Sequence, residues 1–158
     1  RIAAALDGVL PDGSILVLGS EEFIALPLAV ADRLDHAQAI DQARPVAHRS
    51  GTEKEGRPRT VRFSTTTRSP IAAIDRPDYA IASAITFQSH DLTGDGFGQR
   101  FAYNLTRGRQ RFDAIVFLPE PGADRARMLA ADGVAEALRS VSAQVFVVIS
   151  HTEEPATP

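Results

Sequence analysis

Two strongly apolar strands separated by one helical stretch constrain this chain more than any other feature. Asp113 to Leu118 (DAIVFL) and Gln144 to Ile149 (QVFVVI) are short, continuous and apolar. Asp124 to Ser140, between them, sets Met128, Ala131, Ala135 and Leu138 on one helical face. Strand, helix, strand is a βαβ unit, which forces a parallel pair and a right-handed crossover. The same pattern opens the chain. After the turn signal Pro11-Asp12-Gly13, Ile15 to Leu18 is an apolar run that Gly19-Ser20-Glu21-Glu22 breaks. Phe23 to Leu34 then reads as a buried helix, with Pro27 tolerable only in or near its first turn. The expected fold is α/β: three layers, a mainly parallel sheet with helices on both faces. Tyr79 to Phe87 and Phe101 to Leu105 add an antiparallel hairpin.

Length and composition suit one domain, since 158 residues at 44% hydrophobic can close a core. Residues 1–150 are expected to form it, with 151–158, which carry two prolines and two glutamates, as a loose tail or linker. The first residue is Arg1, and Ile2 to Leu6 reads as the end of a helix from an upstream domain, so the segment is expected to come from a longer chain. Residues 39–59 carry Pro45, Gly51, Gly56 and Pro58 without either period, and are expected to form an exposed mobile loop. A net charge of −3 gives no global field for nucleic acid or a membrane surface. Arg107, Arg109 and Arg111 read as a solvated turn. The absence of cysteine excludes disulfides and thiolate metal sites and is compatible with the cytoplasm, which is the expected location.

Ligands on parallel sheets bind beyond the carboxyl ends of the strands, so the loops there carry the functional expectation. Three of them, Gly19 to Glu22, Thr65 to Ser69 and Pro119 to Asp124, are expected to converge. In the second, Val61 to Ser64 alternates as a strand, then Thr65, Thr66, Thr67 and Ser69 surround the planar fork of Arg68. An arginine among short hydroxyls suits a phosphate or carboxylate. The competing reading is that β-branched threonines favour strands and Ser-Pro punctuates a turn. Ser20 opens the first loop, and Glu21 and Glu22 beside it fit a ribose diol, a hydroxyl or a cation better than an anion; alternatively they complement a helix dipole. Glu120 is the acid of the third loop. Tyr103 and Asn104 offer a ring for stacking and an amide for a base edge, with core packing of Tyr103 as the alternative.

No metal or cofactor is expected. His36 and His48 lack partners at ligand spacing, and Asp91 with Asp95 lacks the third acid and terminal glutamate of a calcium loop. His90 and His151 are isolated in sequence, and there is no nucleophile elbow for a serine hydrolase.

Three strings in order carry a resemblance: LGSEEFIALP at Leu18 to Pro27, STTTRSP at Ser64 to Pro70, and FAYN at Phe101 to Asn104. Together they resemble the TRSP domain, named for the tetrapeptide Thr67-Arg68-Ser69-Pro70, over nearly the whole chain. The resemblance implies an upstream phosphoribosyltransferase domain as partner, in bacterial gene clusters linked to tellurite resistance and predicted to make nucleoside-like metabolites. The two strand-loop-helix units also look like the skeleton of a phosphoribosyltransferase fold. In active members of that fold the later strand ends in paired acids and a Gly/Thr-rich turn. Here that turn is Pro119-Glu120-Pro121-Gly122-Ala123-Asp124: one of the paired acids and the threonines are missing, and two prolines remove N–H donors. Independent phosphoribosyl transfer is therefore not expected. The leading expectation is an accessory domain that binds a phosphorylated or nucleoside-like small molecule. A stand-alone enzyme using Glu21, Glu22 or Glu120 as acid or base, and a structural interaction module, are the alternatives.

Overall fold

The computed structural model describes residues 1–43, 57–91, 96–106 and 111–149. Its centre is a sheet of four parallel strands: β1 (Ser14–Gly19), β2 (Thr60–Thr65), β5 (Phe112–Leu118) and β6 (Ser142–Val147), in the order β2-β1-β5-β6. β3 (Ala84–Gln88) and β4 (Gln99–Tyr103) form a separate antiparallel pair. The helices are α1 (Ile2–Asp7), α2 (Ala25–Ala43), α3 (Arg125–Met128) and α4 (Val134–Arg139).

Apart from Ser14 and Asp113 near their starts, the two inner strands are apolar because both of their faces are covered. Alternation divides their side chains into two cores. Ile15 and Val17 of β1 join Ala114, Val116 and Leu118 of β5 against Leu6, Val30, Ala31 and Leu34 of α1 and α2. Leu16 and Leu18 join Ile115 and Phe117 against Phe87, Ala102, Met128, Val134 and Leu138. The outer strands β2 and β6 carry exposed and half-buried residues instead, apart from the buried Ser142.

α2 follows from its apolar spacing. Pro27, Val30, Ala31 and Leu34 are buried, the i, i+3, i+4, i+7 stripe of a helix lying on a sheet. Pro27 falls in the first turn, where no intrahelical partner awaits an N–H, and Leu28 N donates to Ile24 O at 2.9 Å. The helix runs to Ala43 rather than ending at Leu34. Beyond Asp32 the strong helix formers Ala, Leu and Gln carry it on with little help from apolar periodicity. The first five residues of the expected 39–59 loop are thus helical, and 44–56 lie outside the described residues. α1 is part of this domain's own core: Leu6 is buried, and Ile2 and Ala3 pack against the same cluster.

Two expected elements are shorter. The strand foreseen at Tyr79 to Phe87 is regular only from Ala84, because the Asn104 amide takes the backbone groups ahead of it. Nδ2 donates to Ala80 O at 2.9 Å and Oδ1 accepts from Ala82 N at 2.8 Å. The helix foreseen over Asp124 to Ser140 is two helices, α3 and α4, with Ala131 exposed between them. Asp124 caps α3 by accepting from Ala126 N and Arg127 N, and Gly133 starts α4.

Gly133 makes that break possible through space rather than dihedral freedom, since its φ of −83° suits any residue. A Cβ there would lie 2.2 Å from Arg127 O and 2.7 Å from Met128 O, both backbone. Gly133→Ala should destabilise the fold by about 1–3 kcal/mol through overpacking, read as a lower urea midpoint at unchanged m-value. An unaltered midpoint would show that the turn yields freely.

Candidate functional site

All four parallel strands end on one edge, and the loops that leave β1, β2 and β5 meet beyond it. Gly19 is needed at the end of β1 because an added Cβ would lie 2.8 Å from Phe23 O, in the turn that leads to α2. Ser20, fully buried, is bridged back to Phe23, whose N–H donates to Ser20 O at 2.8 Å. The reversal puts Glu21 in the left-handed region at φ 46°, where a residue without a glycine's freedom is strained. Thr66, the first residue past β2, fixes it in place. Its N–H donates to Gly19 O at 3.0 Å and its Oγ1 accepts from Glu21 N at 3.1 Å.

The Glu21 carboxylate then receives two arginines. Arg68 Nε is 2.9 Å from Oε2, and the Nε of Arg100 on β4 donates to Oε1. Glu21 and Arg100 are 9% and 3% exposed at their side chains, so both charges are desolvated and depend on each other. Arg68 also reaches outward to Glu22, Nη2 to Oε1 at 3.0 Å. That hydrogen bond lowers the pKa of Glu22, keeping it ionised. Thr67 pairs with Phe101 of β4 through two backbone hydrogen bonds of 2.9 Å, which sets Arg68 and Arg100 on neighbouring segments.

Tyr103 and Asn104 brace the loops. The Tyr103 hydroxyl donates to Ser69 O at 2.6 Å and accepts from Ile71 N at 2.7 Å, and its ring stacks on Phe101 with centroids 6.0 Å apart. Asn104, at φ 59°, spends its amide on Ala80 and Ala82. Ser69 N donates to Thr67 Oγ1, and Thr65 closes β2 opposite Gly19. Among the described residues of the basic cluster, Arg111 donates to the carbonyls of Arg139 and Ser142; Arg107 and Arg109 lie outside them, as do Asp95, His48 and His151.

One part of the edge escapes sequence reading. His90, distant in sequence from every other candidate except Asp91, is 2% exposed. Its Nε2 lies 3.0 Å from Asp91 Oδ2 and 3.4 Å from Ser20 Oγ, and its ring meets Phe117 edge-on at 5.4 Å. Burial lowers its pKa, so the imidazole is neutral. Among the described residues its Nδ1 has no hydrogen-bond partner. Glu120 hydrogen-bonds with Asp91, and one ligand atom from each of His90, Asp91 and Glu120 falls within 4.8 Å of the others. Burial, a hydrogen bond with Asp91, and the charges of Asp91, Glu21 and Glu22 raise Glu120 from 4.5 to about 7. The only sequence signals were the adjacency of His90 to Asp91 and the position of Glu120 after a buried strand.

Fold and site together define an α/β domain with a charged, partly buried constellation at the carboxyl edge of a parallel sheet. The chain belongs to the TRSP family: residues 1–138 match the TRSP domain, described as C-terminal to PRTase_2. No curated protein and no solved structure matches the chain. Glu21 and Arg68 lie in the first two strings that carried the resemblance, and Arg100 immediately precedes the third. Among the described residues no helix is long and apolar enough to cross a membrane.

The state of Glu120 makes stability depend on pH. The unfolded chain loses this proton near 4.5 and the folded chain near 7, so between those values the native state binds more protons and stability falls as pH rises. In metal-free buffer, Glu120→Gln should flatten that slope and leave the variant more stable than wild type above about pH 7. Parallel urea curves for the two proteins across this range, with the same slope in both, would refute the assignment.

Proposed function

We propose that this domain is an accessory ligand-binding unit of a phosphoribosyltransferase-associated protein, taking a phosphorylated or nucleoside-like small molecule at the carboxyl edge of its sheet. The observation that carries the reading is the buried Glu21 carboxylate joined to Arg68 and Arg100 beside Thr66, a preorganised polar site where a parallel sheet ordinarily binds its ligand. Arg68 is the anion-facing group, because its outer partner Glu22 is 77% exposed at the side chain and can be exchanged for a phosphate oxygen. Glu22 and Glu120 suit the hydroxyls of a ribose. The description of the family as C-terminal to PRTase_2 supports a phosphoribosyltransferase partner, in the same chain or a neighbouring one. We read the fold as a three-layer, phosphoribosyltransferase-like unit spanning residues 1–150, and its setting as a cytoplasmic, bacterial biosynthetic system linked to tellurite resistance.

An accessory role fits the loop after β5. Pro119 and Pro121 cannot donate, and the N–H groups of Ala123 and Asp124 are spent on Glu120 O and His90 O. Asp124 places its own carboxylate over Ala126 N and Arg127 N. A 5′-phosphate would find few donors there, and removing a single oxyanion donor already costs about 10² in rate. One observation favours the second reading, an enzyme in its own right: a carboxyl raised to about 7, touching Asp91 near His90, is suited to general acid–base work.

Ribose 5-phosphate and nucleoside monophosphates should raise the melting temperature, since saturation at 100 times Kd adds about 2.7 kcal/mol. Arg68→Lys should weaken that binding by about 1–3 kcal/mol, because an ammonium cannot donate two parallel hydrogen bonds. A chain that binds none of these compounds, or binds them equally well as Arg68→Lys, would overturn the reading.

A further inference from the structure

We infer that His90, Asp91 and Glu120 form a binding site for one divalent first-row cation, of the Mn²⁺ or Zn²⁺ kind. Three ligands of two types converge: one ligand atom from each residue lies within 4.8 Å of the others, close enough for a single ion to touch all three. The segments that carry them are tied together independently of any ion. Asp124 N donates to His90 O at 3.1 Å, which clips the loop after β5 to the segment after β3, and Gln88 N donates to Asp132 O at 2.8 Å. The ligands are therefore held on braced backbone, as a specific metal site requires.

Two further observations point to a cation rather than to an ordinary cluster of acids. The His90 imidazole is 2% exposed and turned into the cluster, with Nε2 3.0 Å from Asp91. An imidazole held against two carboxyls supplies the nitrogen ligand that a cluster of acids lacks. Among the described residues local charge is also unbalanced: Glu21, Glu22 and Asp91 act on Glu120, while Arg68 and Arg100 both pair with Glu21. A divalent ion would offset that excess.

The ligand set narrows the metal. Calcium takes six to eight oxygens and magnesium a near-octahedral oxygen shell, whereas one imidazole and two carboxylates suit a borderline ion. Three protein ligands leave at least one position for water or an oxygen of a bound molecule. The site does not depend on ribose-phosphate recognition, and the two can fail separately.

The test is calorimetric titration of the chelator-treated chain with Mn²⁺ and with Zn²⁺, and Mg²⁺ for comparison. One saturable Mn²⁺ or Zn²⁺ per chain is expected, with Mg²⁺ weaker than both. Asp91→Asn and Glu120→Gln should each reduce affinity at least ~10-fold, the smallest loss usual when even an outer partner of a ligand is removed. Asp32→Asn, at the exposed His36 pair, should change nothing; circular dichroism of each variant checks its fold. No saturable binding at millimolar metal would overturn the inference, as would binding that survives Asp91→Asn and Glu120→Gln unchanged.

Discussion

The Glu21 carboxylate is the constraint on which the functional edge depends. It sits on a residue held in the left-handed region, behind a β1 terminus that admits no side chain at Gly19. Its two oxygens receive arginines from different parts of the fold, Arg68 from the loop after β2 and Arg100 from β4. A carboxylate 9% exposed and a guanidinium 3% exposed would each be costly alone, so pulling either element away breaks a buried ion pair. The strain at Glu21 is tolerated because Thr66 fixes its backbone and the arginines fix its side chain.

This arrangement also explains how a two-stranded ribbon comes to belong to a parallel-sheet domain. β3 and β4 share no ladder with the four-stranded sheet. They reach it through Phe87 and Ala102, which share a core cluster with Leu16, Leu18 and Phe117, and through the Thr67–Phe101 bridge. Arg100 precedes Phe101 and Ala102 on β4, opposite Phe87, and His90 follows β3. The ribbon thereby delivers both residues to the end of a sheet whose own loops supply Ser20, Glu21, Thr66, Arg68 and Glu120.

Sequence alone disclosed the parallel strands and the loops that follow them, because β1 and β5 are buried on both faces and read as unbroken apolar runs. Arg68 and the glutamates of the first loop were legible too, since short hydroxyls and charges after such runs have no packing role. Arg100 and His90 were hidden by long-range placement. Arg100 sits in a short alternating strand where a polar residue ordinarily faces solvent, and only the packing of β4 buries it. Asn104 offered an amide in sequence, but its demand came from backbone at Ala80 and Ala82, which no local pattern announces. The break between α3 and α4 was masked because Met128, Ala135 and Leu138 keep helical spacing across it, while Gly133 answers to carbonyls a turn earlier.

A double-mutant cycle of Glu21→Gln and Arg100→Met, followed by urea unfolding of all four proteins, measures the central pairing directly. If Glu21 organises the edge, each single variant strands a buried polar group and the pair is coupled by about 1–3 kcal/mol, the double variant losing less than the two singles together. Additive losses, with coupling below about 0.5 kcal/mol, would contradict it.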